Sequence, residues 1–328
     1  MGTTERTEIE GGQPDEGGRS AEVPRNLSPG AATPSPRPTF DDATAIPYSD
    51  ARLHLWGDDQ AGRVPDWIYV SSEKIHHLVF GLPAGERFTH SDGFRTVFAA
   101  DELLHVLSGT MVIADPEHGE VHRVERGGAV FFRRDTWHHV MSFGAEQLRV
   151  LEFFAPPPAT GSSSAYAKTK ELLTDVRYRD DRFVGRWPMA ATEREQARRL
   201  HVFDDRSVLD RLEGTGALVR TYVSTEHLTV EQVVLRPGGN GEARRHGGDA
   251  AMHVLTGTMH VLLTDGPNAT GQRWFELHPD DGFYVPEGVG YELRNITDVP
   301  SEVMIGVAPA YTTDPTPNGK TRSTATDR

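Results

Sequence analysis

Two pairs of polar residues in the sequence have the types and spacing to do chemistry together. His90 and Asp92 are two residues apart, and so are Arg244 and His246. Alternate residues of a β-strand face the same side, so each pair would project in one direction. Imidazole and carboxylate groups suit a divalent transition metal, whereas a guanidinium with a nearby imidazole suits a carboxylate. Cysteine is absent, which excludes disulfides, thiol nucleophiles and thiolate-bound metals.

The two pairs lie in two copies of one segment. Residues 69–73 read YVSSE and residues 222–226 read YVSTE, while residues 105–111 read HVLSGTM and residues 253–259 read HVLTGTM. The copies run in the same order with small insertions between the matching parts. Such a repeat predicts a duplicated domain. A difference between the copies at a polar, inward-facing position is therefore informative.

Short apolar segments separated by glycine and proline fill both copies. The first copy contains four segments that predict strands: 75–82, 103–113, 129–132 and 148–154. Strands of this length at regular spacing are typical of all-β barrels and jelly rolls. Strong amphipathic helical patterns are scarce, so an α/β fold is a poor alternative. The last of the four segments, interrupted by Arg149 and Glu152, is predicted to be a core strand.

Composition divides the chain into five parts. No aromatic residue precedes Phe40, and proline, glycine, serine and charged residues dominate that stretch, so we expect a disordered tail. The triple proline at 156–158 marks the start of a linker, in which residues 192–200 could form a short helix. The predicted parts are a tail over 1–45, a first barrel over 46–158, a linker over 159–216, a second barrel over 217–311 and a flexible tail over 312–328.

Charge and hydrophobicity limit the partners of the chain. The net charge of −14 opposes binding to phosphate backbones, so nucleic acid is an unfavourable partner. No apolar run is long enough to span a membrane, and the N-terminus has no secretory pattern. We therefore expect a cytoplasmic homodimer that acts on a small molecule, with a carboxylic acid as one candidate.

The motifs of both copies resemble those of the cupin superfamily. In the first copy the matching residues are Pro83-Ala84-Gly85, His90, Glu102, Gly109, Gly127 and His138. In the second copy they are Pro237-Gly238-Gly239, Arg244, His246, Gly257, Pro286 and Tyr291. The resemblance covers roughly residues 68–155 and 221–309. It implies two tandem cupin domains, each a jelly-roll β-barrel, joined by a short, partly helical linker.

The resemblance also implies a metal site in the first barrel. In the family, two histidines on one strand, a glutamate and a later histidine converge on one divalent metal. Carried over, His90, Glu102 and His138 hold the ion, and Asp92 stands in place of the second histidine as a fourth ligand or a catalytic base. Fe(II) is the expected ion, with Mn(II), Ni(II) or Zn(II) as alternatives. An insertion before Glu102 leaves a second frame open, in which Thr96 and Phe98 point inward and no histidine does.

The second copy has lost the corresponding ligands. Its matching residues are Arg244, His246, Ala250 and Tyr291, and a single imidazole does not hold a transition metal against water. One hypothesis is an anion pocket, in which Arg244 and His246 bind a substrate carboxylate and Tyr291 is a catalytic donor. The other is a domain that is kept for its fold.

Other histidines and arginines have structural explanations. Counted from Glu102, His105 faces away from the barrel centre, and His139 faces outward because it follows His138. At most one of the adjacent residues His76 and His77 faces inward. Arg133 and Arg134, at the barrel rim, could meet an acidic ligand or balance nearby carboxylates.

Three functions remain open from the sequence. The favoured one is an oxidoreductase, a metal-dependent dioxygenase-like catalyst that uses the first barrel. The second is a metal-free isomerase or cyclase that works by general acid–base catalysis in small-molecule or natural-product metabolism. The third is a non-catalytic ligand-binding protein. The chain lacks the four-ligand set usual in the oxalate decarboxylases and quercetin dioxygenases of the family, which argues against those two activities.

Overall fold

The computed structural model describes residues 35–91, 94, 96–155, 167–169, 198–203 and 207–312. Besides one 3-10 helix, Tyr48–Asp50, the regular elements of these residues are β-strands. The first twelve strands are β1 (Thr44–Ile46), β2 (Arg52–Asp58), β3 (Gly62–Ser71), β4 (His76–Leu82), β5 (Arg87–Phe88), β6 (Thr96–Phe98), β7 (Asp101–Ser108), β8 (Thr110–Asp115), β9 (Glu120–Glu125), β10 (Ala129–Phe132), β11 (His139–Ser142) and β12 (Leu148–Ala155). The others are β13 (Ala167–Thr169), β14 (His201–Phe203), β15 (Leu209–Glu213), β16 (Ala217–Ser224), β17 (Thr229–Leu235), β18 (Asp249–Thr256), β19 (Met259–Leu263), β20 (Trp274–Leu277), β21 (Gly282–Val285), β22 (Tyr291–Arg294) and β23 (Ser301–Ala308). The described part contains no helix long and apolar enough to cross a bilayer.

Each sequence copy forms a barrel of two facing sheets. Barrel 1 combines a seven-stranded sheet, in the order β14-β10-β7-β12-β4-β3-β2, with a four-stranded sheet, β5-β11-β8-β9. Barrel 2 combines the seven-stranded sheet β1-β21-β18-β23-β17-β16-β15 with the three-stranded sheet β20-β19-β22. A short antiparallel pair, β6 with β13, forms a separate sheet. The predicted all-β architecture of two tandem barrels is confirmed.

Side-chain burial in the strands follows their two-residue period. In β12, Val150 and Phe154 enter the core between the two sheets of barrel 1, whereas Leu151 and Phe153 face the opposite way. Glu152 lies between the two inward residues and projects into barrel 1 with them. The strand predicted over 103–113 is divided at Gly109, whose φ of 76° ends β7 and begins β8.

The outward faces of the two seven-stranded sheets pack on each other. They form a third core, built from residues of both barrels. Glycine permits the close approach at two places. A Cβ atom at Gly306 would lie 2.6 Å from Cδ1 of Phe153, and one at Gly282 would lie 2.6 Å from Cδ1 of Tyr69. Larger residues at these two positions would push the sheets apart.

Histidines face this third core from both barrels. His105 lies against Tyr222, with the ring centroids 6.0 Å apart, so it faces away from the centre of barrel 1 as the strand period predicts. The Nε2 atom of His77 lies 3.4 Å from Nδ1 of His253. His76 faces the interior of barrel 1. The adjacent histidines of β4 therefore point in opposite directions, as predicted.

Each barrel takes a strand from outside its own repeat. β1 pairs with β21 and extends the large sheet of barrel 2, while β14 pairs with β10 and extends that of barrel 1. The predicted boundaries differ from this arrangement, because β1 lies partly in the expected tail and both β14 and β15 lie in the expected linker. The chain is also anchored before β1, since Ser71 donates a backbone hydrogen bond to the carbonyl of Pro38 at 2.7 Å. Most of the predicted linker helix, 192–197, lies outside the described residues.

Candidate metal centre and substrate cavity

Three elements of barrel 1 bring three metal-binding side chains to one point. Glu102 is the second residue of β7, Glu152 lies on the neighbouring β12, and His138 directly precedes β11. One ligand atom of each lies within 4.8 Å of the other two. Glu102 points inward because it shares the face of β7 that carries Leu104 and Val106. All three side chains are buried.

The two glutamates lie in an environment that disfavours their charges. Burial, followed by the charge of Glu152, raises the pKa of Glu102 well above its ordinary value. Burial, followed by the charge of Asp66, does the same for Glu152. Neither oxygen of Glu102 accepts a hydrogen bond from a described N–H or hydroxyl group, although the two carboxyl groups can share one proton. A divalent cation would neutralise both carboxylates, so these residues fit a metal ion.

His138 completes the cluster as a neutral imidazole. Burial lowers its pKa to about 4. Its Nδ1 atom lies 3.5 Å from the carbonyl oxygen of Thr136, which leaves Nε2 for a cation. The three side chains thus offer one nitrogen and two carboxylate groups without sulfur. Such a hard donor set suits Mn(II) or Fe(II) better than a soft metal.

A cavity of about 70 Å³, open to solvent on one side, adjoins the cluster. Five aromatic side chains form much of its wall: Trp56, Phe80, Phe88, Phe98 and Phe154. Its titratable lining residues are His54, Asp66, His76, His90, His138 and Glu152. The volume corresponds to about five to seven water molecules, at roughly 10–15 Å³ each. It can enclose the polar end of a small substrate.

Two further polar groups of the cavity wall are held in their neutral forms. Burial, followed by the charge of Arg37, lowers the pKa of His76 to about 3, and its Nδ1 atom lies 2.8 Å from the hydroxyl of Ser71. Enclosure by protein raises the pKa of Asp66 well above its ordinary value. The side chain of Asp66 keeps some accessible area because it faces the cavity.

In barrel 2 the matching residues belong to a closed network of ion pairs. Arg244 donates from Nε and Nη2 to Glu213 at 3.0 and 2.9 Å, and from Nη1 to Glu231 at 3.4 Å. Glu231 also accepts hydrogen bonds from Arg211 at 2.6 Å and from the Tyr311 hydroxyl at 2.7 Å. Two guanidinium groups therefore balance two carboxylates. The guanidinium donors that the anion-pocket hypothesis assigns to a substrate carboxylate are bound here by the protein's own glutamates.

His246 and Tyr291 are also engaged with protein groups. The Nδ1 atom of His246 donates to the carbonyl oxygen of Tyr311 at 2.5 Å, so its Nε2 accepts from the Tyr291 hydroxyl at 2.9 Å. Burial raises the pKa of Tyr291 and lowers that of His246. Both side chains are therefore uncharged donors or acceptors. Their catalytic and substrate-binding roles stay predictions.

Most of the chain shares its fold with solved structures. A family model described as a cupin domain matches residues 231–307. The oxalate decarboxylase of Lactobacillus farciminis, in complex with formate, superposes with a TM-score of 0.56 at 14% identity and covers 84% of this chain and 89% of its own. The chain therefore has the two-barrel (bicupin) fold, and its second barrel matches the cupin family model.

Two structures of a second enzyme show the same similarity to this bicupin. The oxalate decarboxylase of Bacillus subtilis at pH 4.6 gives a TM-score of 0.54 at 14% identity, covering 85% of this chain and 79% of its own. A structure of that enzyme studied for its Mn(II) centres gives 0.55 at 13% identity, with coverages of 85% and 79%. No curated protein matches the sequence. Identities this low establish the shared fold and nothing further.

The structure of the bicupin brings together only part of the predicted ligand set. Glu102 and His138 lie in the cluster, whereas the imidazole of His90 contacts His139 and Trp137 at the cavity wall. Asp92 lies outside the described residues, so its role stays a prediction. Both His90 and Phe98 line the cavity, and Thr96 begins β6, so the choice between the two frames stays a prediction.

Glu152 is the functional candidate that the sequence analysis missed. It was assigned to a core strand, yet burying an unpaired carboxylate is costly, so a lone acid on an inward position was a signal. Asp66, in β3, carried a similar signal. The arginines at the rim of barrel 1 pair with a loop of barrel 2, Arg133 with Glu226 and Arg134 with His227. These contacts favour the hypothesis that the arginines balance nearby protein groups over the hypothesis that they bind an acidic ligand.

Proposed function

We propose that this bicupin is a metal-dependent enzyme that acts on a small molecule in barrel 1. The observation that carries the proposal is the convergence of Glu102, His138 and Glu152 beside an open cavity. Buried carboxylates without a cation are costly, and Glu102 has no N–H or hydroxyl donor among the described residues. A resident divalent ion would be ligated by all three side chains and would neutralise the two carboxylates.

The donor set favours Mn(II) over the Fe(II) expected from the sequence. Carboxylate oxygens outnumber imidazole nitrogens in the cluster, and oxygen-rich sites suit Mn(II). The Bacillus subtilis oxalate decarboxylase, which shares the fold, has Mn(II) centres. When bound, the ion would act as a Lewis acid on a substrate oxygen or support chemistry with dioxygen. The sequence motifs favour a dioxygenase-like reaction. The oxalate decarboxylases that share the fold support a lyase reaction as the alternative.

The residues of the chain would bind and orient the substrate around that centre. The aromatic wall excludes water from the substrate's apolar part. Asp66 faces the cavity, and burial raises the pKa of its carboxyl group well above the ordinary value, so this group keeps its proton to a higher pH than an exposed aspartate and can exchange it with a bound substrate. The same feature supports a second candidate, a metal-free acid–base catalyst such as an isomerase, because carboxyl groups with raised pKa values are effective proton carriers.

Metal content separates the two candidates. We expect about one divalent ion per chain in protein purified without chelator, and little in Glu102→Gln or His138→Ala. Glu125→Gln is the matched control, because Glu125 is 59% exposed and pairs with Arg123 on the outer surface. Wild-type protein without metal, or equal metal in all variants, would leave the metal-free candidate.

A further inference from the structure

The cavity of barrel 1 carries information about the charge of its substrate. None of the described residues that line it is lysine or arginine. Arg37, whose charge contributes to the lowered pKa of the lining residue His76, is exposed. Other arginines around barrel 1 are occupied elsewhere: Arg133 pairs with Glu226, and Arg149 pairs with Asp280 at 3.0 Å.

The metal centre would add no net positive charge to this cavity. A divalent cation contributes two positive charges, and the carboxylates of Glu102 and Glu152 cancel both, while His138 contributes none. Asp66, which also lines the cavity, adds no positive charge in either of its protonation states. Within the described lining, an entering carboxylate would therefore lose its hydration without meeting a guanidinium, an ammonium or a net cationic centre.

The apolar part of the cavity wall is formed largely by aromatic side chains. Phe80 and Phe88 contact edge to face, with ring centroids 6.0 Å apart, and Trp56 packs on Phe88 at 5.7 Å. Phe98 and Phe154 form a second pair at 4.6 Å. The phenylalanine rings offer area for apolar contact and no hydrogen bond, so they stabilise a planar, uncharged body.

We propose that this cavity selects an uncharged substrate with a planar apolar body and an oxygen-bearing end, and that it discriminates against carboxylates. The part of this inference that involves a metal ion rests on the proposed function, whereas the part that involves the lining residues does not. The enclosed volume of about 70 Å³ accommodates the oxygen-bearing end, and the apolar body extends along the aromatic wall toward the opening. Glu152 is then a specificity-determining residue, because its charge makes the centre neutral.

Two isosteric ligands test the inference directly. Salicylamide and salicylate share one ring and one ortho hydroxyl, and differ in an uncharged amide against a carboxylate. Titration calorimetry of the full-length, Mn(II)-loaded protein at neutral pH should show salicylamide binding at least about tenfold more tightly. Tighter or equal binding of salicylate would overturn the inference, and so would the failure of both ligands to bind.

A substitution of Glu152 tests the cause of the preference. Glu152→His replaces a carboxylate with a neutral metal ligand and raises the charge of the centre by one, so the preference should shift toward salicylate by about tenfold. Asp59→Asn is the control, since it removes an exposed carboxylate, 86% accessible, outside the cavity. A metal-loaded Glu152→His protein with the wild-type preference would overturn the role of charge. The wild-type comparison decides the inference even where this variant does not fold.

The failure of the proposed function gives a different result. Metal analysis of the same samples reports on the ion independently of the ligands. Protein without metal that still prefers salicylamide would refute the metal-dependent enzyme and support the lining argument. Metal-loaded protein that prefers salicylate would support the metal-dependent enzyme and refute the lining argument.

Discussion

The Nδ1 atom of His90 lies 2.8 Å from the Nε2 atom of His139. One proton between two ring nitrogens makes this hydrogen bond, so one imidazole donates and the other accepts. Burial, then the charges of His138 and Arg87, lowers the pKa of His139 to about 3 and keeps that ring neutral. His90 is thus held at the cavity wall by a partner outside the Glu102–His138–Glu152 cluster.

This contact gives different expectations for His90 and Glu152. We expect His90→Ala to retain its metal, because the contacted group is His139, and Glu152→Gln to lose most of it, because a neutral amide is a poor ligand. Elemental analysis of both purified variants beside wild type checks this. Loss of metal from His90→Ala alone would restore the ligand set implied by the sequence resemblance.

The contact between the two large sheets should weaken in acid. Burial, followed by the charge of His253, lowers the pKa of His105 to about 4 in the folded chain, against about 6.5 when unfolded. Below the unfolded value, only the unfolded state binds the proton, so the free energy of unfolding falls by about 1.4 kcal/mol per pH unit. This loss continues until the pH reaches the folded pKa of about 4.

Urea unfolding between neutral and acid pH measures this slope. His105→Asn should reduce the slope by the contribution of one group, because asparagine does not titrate. His278→Asn, in which the replaced side chain is 59% exposed, should leave it as in wild type. A slope that His105→Asn does not change would contradict the assignment.

Gly306 should tolerate no side chain. A Cβ atom there would lie 2.6 Å from the ring of Phe153, which is fully buried in the third core. We expect Gly306→Ala to lower the free energy of unfolding by about 1–3 kcal/mol through overpacking. Gly241→Ala is the control, because its nearest neighbour, Oε1 of Glu213, would lie 3.4 Å away. Equal stability of the two variants would show that the sheets adjust freely.

Arg244 should contribute to stability more than to ligand binding. Arg244→Met leaves Glu213 and Glu231 with one guanidinium group, that of Arg211, in place of two, and the side chains of these glutamates are 11% and 3% exposed. Removing one partner of a buried ion pair costs about 3–5 kcal/mol. Arg236→Met, at an exposed arginine that donates to the Thr215 carbonyl, should cost far less. Unchanged stability with lost binding of small carboxylic acids would instead support the anion pocket.

The first strand should stabilise barrel 2. Deleting residues 1–46 removes β1, uncovers β21 and breaks the contact between Phe40 and Tyr284, whose ring centroids are 5.8 Å apart. We expect a lower melting temperature than in full-length protein. Deleting residues 1–34 is the control, because it removes none of the described contacts. Equal melting temperatures for the two deletions would contradict a role for β1.

The sequence was sufficient for the architecture because the strand period and the duplication are local signals. It placed Glu102 and His138 in one barrel through their motifs, and the structure brings them together. Glu152 was not recognised, because its neighbour in space is set by the pairing of β12 with β7 rather than by spacing along the chain. For the same reason the ion pairs of Arg244 with Glu213 and Glu231 could not be foreseen.

β1 and β14, the strands that the barrels take from outside their own repeats, limit how the second barrel can evolve. Since β1 completes the sheet of barrel 2 and β14 completes that of barrel 1, neither repeat is a self-contained unit that could be shed or moved to another protein. Barrel 2 can carry ion pairs in place of metal-ligating side chains, but it cannot be deleted without exposing the outward face of the large sheet of barrel 1. Selection on barrel 1 therefore also preserves the packing of barrel 2, which becomes an inherited scaffold.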